Sequence, residues 1–119
     1  MSPSLIELLT HIHKETEYLV AKIAEITFEE FRDDDDYNRS IIRSLEIIGE
    51  ASKRIPDTFK IQHAQIDWKG LSGLRDKLIH HYFGVDYELV WDIVNNEIPP
   101  LNKFLKILNN LKIVFVYFL

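Results

Sequence analysis

The stretch Tyr37-Asn38-Arg39-Ser40-Ile41-Ile42-Arg43-Ser44-Leu45-Glu46-Ile47-Ile48-Gly49-Glu50-Ala51-Ser52-Lys53-Arg54 repeats its apolar residues at helical spacing. Ile41, Ile42, Leu45, Ile48 and Gly49 share one face of such a helix. Arg39, Arg43, Glu46, Glu50, Lys53 and Arg54 occupy the other, spaced for ion pairs within the helix. Gly49 stands in the interior, where glycine costs about 1 kcal/mol relative to alanine. A close helix crossing at that point would explain its presence.

The same period extends in both directions. Ser4 is placed to cap a first helix with the stripe Leu5, Leu8, Leu9, Ile12, Leu19, Ile23 and Ile26. Thr27-Phe28-Glu29-Glu30 has the form of a capping box and predicts a short helical turn. The acids Asp33 to Asp36 suit the positive end of the helix that follows. Four adjacent carboxylates point in different directions, so they are not read as a metal site. Beyond Arg54, Pro56 opens a loop with one short helical turn. Asp67 caps a helix from Trp68 to about His81, and Gly84 and Asp86 break and restart the chain. A further helix runs from about Tyr87 to Asn96. Pro99 and Pro100 fit the first turn of a final helix through about Leu111.

These elements predict an all-α bundle of four to five helices. Its single domain covers residues 1–112. Residues 113–119, Ile113-Val114-Phe115-Val116-Tyr117-Phe118-Leu119, form an uncharged apolar tail rich in strand formers. That tail is too short to span a bilayer and suits core packing or a subunit contact. No membrane association is expected.

A chain of 119 residues holds one core. It contains no cysteine, which excludes disulfides and thiolate metal sites. The start, Met1-Ser2-Pro3-Ser4-Leu5, lacks the basic and hydrophobic regions of a secretory signal, so a cytoplasmic location is expected. Formal net charge is −5, so any nucleic-acid contact must come from a local surface. His11 and His13 are two apart on a helix and His63 stands alone, and no glycine-rich phosphate loop is present. No metal or cofactor is expected.

The chemistry concentrates in Arg75-Asp76-Lys77-Leu78-Ile79-His80-His81-Tyr82. Arg75 falls among Leu71, Leu74, Leu78, Ile79 and Tyr82 on what reads as one helical stripe. A guanidinium there must find an anion or a polar cleft. His80 exchanges a proton near neutral pH. A fixed cation beside a proton carrier suits chemistry on a phosphodiester. Five residues of ideal helix set Arg75 and His80 about 140° apart, so one straight helix does not aim both at one atom. A distorted helix end, a long reach by Arg75 or a second copy of the chain would bring them together.

Two blocks resemble the HEPN superfamily, specifically the HepT-like toxins encoded beside a minimal nucleotidyltransferase. One is Arg43 to Ala51. The other is Trp68 to Asp86, with the Arg-x4-His-x-Tyr signature at Arg75, His80 and Tyr82. Trp91 and Ile98-Pro99 also resemble the family. The resemblance implies a helical homodimer with a composite cleft at the meeting of two signature helices. It implies a type VII-like toxin–antitoxin system in which the chain is a metal-independent endoribonuclease acting on RNA. Arg75 and His80 would be catalytic, with Asp76 and Tyr82 positioning substrate. The cognate nucleotidyltransferase antitoxin would neutralise the toxin by AMPylation of Tyr82. Asp76 stands where asparagine is the usual form in these toxins. A noncatalytic module binding RNA, nucleotide or the nucleotidyltransferase stays open as the other function, favoured by the net acidity and by Asp76. Arg43, Lys53 and Arg54 read as solvated helix charges that could also widen a basic rim, and Glu46 and Glu50 read as residues that orient arginines.

Overall fold

The computed structural model describes residues 3–79 and 86–118, with side chains described through residue 78 in the first span and residue 111 in the second. Helix α1 (Leu5–Glu25) begins where the Ser4 side chain accepts a hydrogen bond from the Glu7 amide. It buries Leu8, Ile12, Thr16 and Leu19. Helix α2 (Phe28–Asp33) opens with the reciprocal Thr27–Glu30 capping box that its sequence predicts. Asp34 then closes α2 and caps α3 (Asp35–Arg54), accepting from the amides of Asp36 and Tyr37. The acidic run therefore serves helix ends, with Asp33 bonded to Arg32 beside it.

Helix α3 starts two residues earlier than its apolar stripe suggests, because Asp34 rather than Asp36 is the cap. Ile41, Leu45, Ile48 and Gly49 are buried as expected, whereas Ile42 lies at the margin and is only half-buried. Ser44 turns inward instead, its hydroxyl bonded to the Glu15 carboxylate at 2.8 Å. Pro56 leads into the short helix α4 (Asp57–Gln62).

The helix expected from Trp68 is divided into α5 (Trp68–Ser72) and α6 (Leu74–Ile79). Gly73 between them has ψ near −2°, well away from the helical −42° or so. Hydrogen bonds still run through the joint, from the Gly73 amide to Lys69 O and from the Lys77 amide to Gly73 O. The result is a bend in one helical arm. Residues 80–81, where that helix was expected to end, lie outside the described residues.

Helix α7 (Tyr87–Asn96) is capped by Asp86. Helix α8 (Ile98–Phe118) carries Pro99 and Pro100 in its first turn and continues past Leu111 through the apolar tail. Strand-forming composition does not end it, since extending an established helix costs far less than nucleating one.

The long helices α1, α3 and α8, with α7, enclose a core that includes Ile12, Leu19, Ile41, Leu45, Ile48, Val90, Val94, Ile98 and Leu101. Taking α5 and α6 as one bent arm gives, among the described residues, five main helices of an all-α bundle, with α2 and α4 as short additions. Fully buried Phe31 anchors α2 by stacking on Trp91 and meeting Tyr87 edge-on. A polar contact also ties α8 to α1. Asn102 on α8 donates to Thr16 Oγ1 at 3.1 Å and to Glu17 Oε1 at 2.9 Å, and Thr16 donates to His13 O. No helix among the described residues is long and apolar enough to cross a membrane.

Candidate active site around Arg75

The site begins with the glycine. A Cβ added at Gly49 would lie 3.1 Å from Leu71 O, 3.3 Å from Leu74 Cβ and 3.4 Å from the Arg75 amide nitrogen. Helix α3 therefore crosses the α5–α6 arm almost backbone to backbone. Buried Leu71 and Leu74 hold the arm against it. This is the close crossing that an interior glycine implied.

The next residue along α3, Glu50, is brought beside Arg75 by that crossing. The Arg75 Nη1 donates to Glu50 Oε1 at 2.9 Å. Their side chains keep 50% and 40% of their exposure, so the pair sits at the surface. This corrects the expectation that Arg75 interrupts the apolar stripe. Leu71 and Leu74 are buried and Leu78 half-buried, while Arg75, Asp76 and Lys77 are exposed. Arg75 lies on the flank of the stripe, and its long stem carries the guanidinium outward to the carboxylate.

Glu50 was expected to pair within its own helix. It pairs across to α6 instead, while Arg43 and Glu46 do form the intrahelical pair at 3.3 Å. Both glutamates thus orient arginines. The hydrogen bond from Arg75 holds the Glu50 carboxyl below its usual range, with help from the charges of Arg75, Lys53 and Arg54. In turn, the Glu50 hydrogen bond and charge raise Arg75 further, and Glu46 and Asp76 add to the effect. Both partners are ionised at neutral pH.

Of the predicted site residues, Arg75 and Asp76 are adjacent and exposed on α6. His80 and Tyr82 lie outside the described residues. Lys53 and Arg54, at i+3 and i+4 from Glu50, are exposed on the face of α3 that bears it. The residue not singled out as the partner of Arg75 is Glu50. Its signal was its place immediately after the crossing glycine. Among the described residues no group of three histidine or acidic side chains is placed to hold a metal ion.

The model of the family described as Ribonuclease HepT-like matches residues 8–108. A candidate RNase of Caldanaerobacter subterraneus subsp. tengcongensis is 47% identical over 98 residues, covering 82% of this chain and 88% of that protein. A probable ribonuclease HepT of Thermococcus cleftensis is 51% identical over 84 residues, 70% of this chain and 76% of that one. A candidate RNase of Methanocaldococcus jannaschii is 53% identical over 75 residues, 63% and 62% of the two chains. No solved structure matches the chain. With the matched span running from α1 well into α8, the chain belongs to the Ribonuclease HepT-like family of all-α HEPN proteins.

Proposed function

We propose that this chain is the ribonuclease toxin of a toxin–antitoxin pair, a metal-independent endoribonuclease working from a cleft between two copies. The observation that carries this reading is the family match over residues 8–108, which contains Arg75, His80 and Tyr82 in the order and spacing of the signature. The exposed, oriented Arg75 guanidinium supports it. RNA supplies its own nucleophile. His80 acts as general base and takes the 2′-hydroxyl proton as the 2′-oxygen attacks phosphorus. The bond to the 5′-oxygen breaks, a proton returns to that oxygen, and a cyclic phosphate and a 5′-hydroxyl result. Arg75 donates to the phosphorane oxygens, which gain charge as the bond forms. Asp76 and Tyr82 position the substrate.

Regulation in this proposal falls on Tyr82. A cognate nucleotidyltransferase transfers AMP from ATP to the tyrosine oxygen. The attached phosphodiester places negative charge near Arg75 and competes with substrate phosphate. The functional domain is assigned to residues 1–112, with 113–119 as an appended tail, and the protein acts in the cytoplasm. A noncatalytic RNA- or partner-binding module is the second reading, favoured by the net charge of −5 and by Asp76.

The test is incubation of purified protein with total RNA, with and without His80→Ala and with and without EDTA. Cleavage that survives EDTA and disappears in the variant is expected. Intact RNA throughout would favour the second reading, and chelator-sensitive cleavage restored by a divalent ion would remove the metal-free scheme. Co-incubation with the partner and ATP should place AMP on Tyr82 by mass spectrometry and stop cleavage. AMP found on another residue would remove the regulatory step.

A further inference from the structure

We infer that Glu50 is a positioning residue for Arg75: its carboxylate fixes one nitrogen of the guanidinium so that the remaining donors face a substrate phosphate in a set orientation. The inference rests on the ribonuclease reading above and deepens it. Arginine has several rotatable bonds, and a surface arginine samples many rotamers. A single hydrogen bond at Nη1, 2.9 Å long, removes much of that freedom while leaving the Nε–Nη2 edge for a bidentate contact with phosphate oxygens. The donor edge is thus prepared before substrate arrives.

Charge attraction does not explain a carboxylate at this place. Glu50 repels a phosphate, and Glu46 and Asp76 also act on Arg75. A surface built only to draw in RNA would hold a neutral residue at position 50. Stability does not explain it either, since exposed ion pairs contribute little. Orientation does. The anchor is itself rigid, because Gly49 lets α3 press against Leu71 O, Leu74 and the Arg75 amide. That contact leaves little slack between the two backbones. Lys53 and Arg54, on the same face, further hold Glu50 in its charged form.

The experiment compares wild type, Glu50→Ala, Glu50→Gln and Arg75→Ala on one RNA oligonucleotide, with kcat, KM and a thermal melt for each. A misplaced donor typically costs about a hundredfold, so Glu50→Ala is expected to lower kcat ten- to a hundredfold with KM changed less than about threefold. Glu50→Gln keeps a carbonyl oxygen that accepts from Nη1 and is expected to recover most of kcat. Four outcomes would overturn the inference. Glu50→Ala could cut at the wild-type rate while Arg75→Ala is dead, which leaves the ribonuclease intact and removes the positioning role. Glu50→Gln could be as impaired as Glu50→Ala, or the loss could follow the folded fraction in the melts. Absence of cleavage by wild type would remove the ribonuclease reading and the positioning role together.

Discussion

Among the polar contacts that join helices in this molecule, two are built in opposite ways. At the α1–α8 seam Asn102 is only 5% exposed and both its donated bonds end on Thr16 and Glu17. At the α3–α6 crossing Arg75 stays half exposed and gives Glu50 one bond through Nη1. The first joint uses up the Asn102 donors on protein acceptors, which fixes how α8 lies on α1 and leaves none of them for a ligand. The second holds one side of a guanidinium and leaves the rest at the surface. A buried polar network specifies packing; a half-tethered one at the surface is suited to chemistry.

Substitutions at the two joints should therefore separate activity from stability. The largest effect is expected from Arg75→Ala, a loss of RNA cleavage of about a hundredfold or more with the thermal midpoint nearly unchanged. A twofold effect would break the contrast. Asn102→Ala should do the reverse. It removes the donor to Thr16 and Glu17 and should cost about 2 kcal/mol in urea unfolding, while the folded protein cuts at its normal specific rate. Loss of activity without loss of stability there would mean that the seam is not merely structural.

Gly49→Ala sharpens the comparison further. Alanine favours the helix by about 1 kcal/mol, but its Cβ meets the Leu71 carbonyl at 3.1 Å, and backbone yields less readily than a side-chain tip. Net stability should fall by about 1 kcal/mol, and cleavage should fall more than stability because the Arg75 backbone is displaced. Unchanged values for both would show that the crossing has slack.

The smallest effect concerns acid. The Asn102 hydrogen bond, aided by Lys106 and His13, holds Glu17 below its ordinary value of 4.5. A depressed carboxyl stabilises the fold fully above that value and loses the contribution as pH falls through the lower, folded value. Thermal midpoints measured from pH 7 to 3 should drop on the acid side, and Glu17→Gln should make that drop shallower. An unaltered acid limb would indicate that Glu17 contributes nothing to the seam.

Much of this was legible in the chain because it rests on local rules. Apolar spacing located the main helices, Thr27 and Glu30 announced their capping box, and Gly49 announced a close crossing. What escaped depends on tertiary placement. The Arg75–Glu50 pair spans 25 residues, and Glu50 had equally plausible partners in Lys53 and Arg54 on its own helix. Arg75 was read as interrupting the apolar stripe because spacing alone does not distinguish the centre of a stripe from its flank. Thr16 and Asn102, separated by 86 residues, carry no mutual signal in the sequence. The continuation of α8 beyond Leu111 escaped because residue preference was weighed there without the helix already formed before it.

The Thr16–Asn102 contact also bears on how the protein is made. Helix α1 leaves the ribosome early, yet its buried face is covered partly by α8, which is translated last among the helices described. Until that segment emerges, Leu8 and Ile12 lack their full packing, and the long-range docking step comes late. The α1–α8 seam is therefore expected to close only after α8 has emerged.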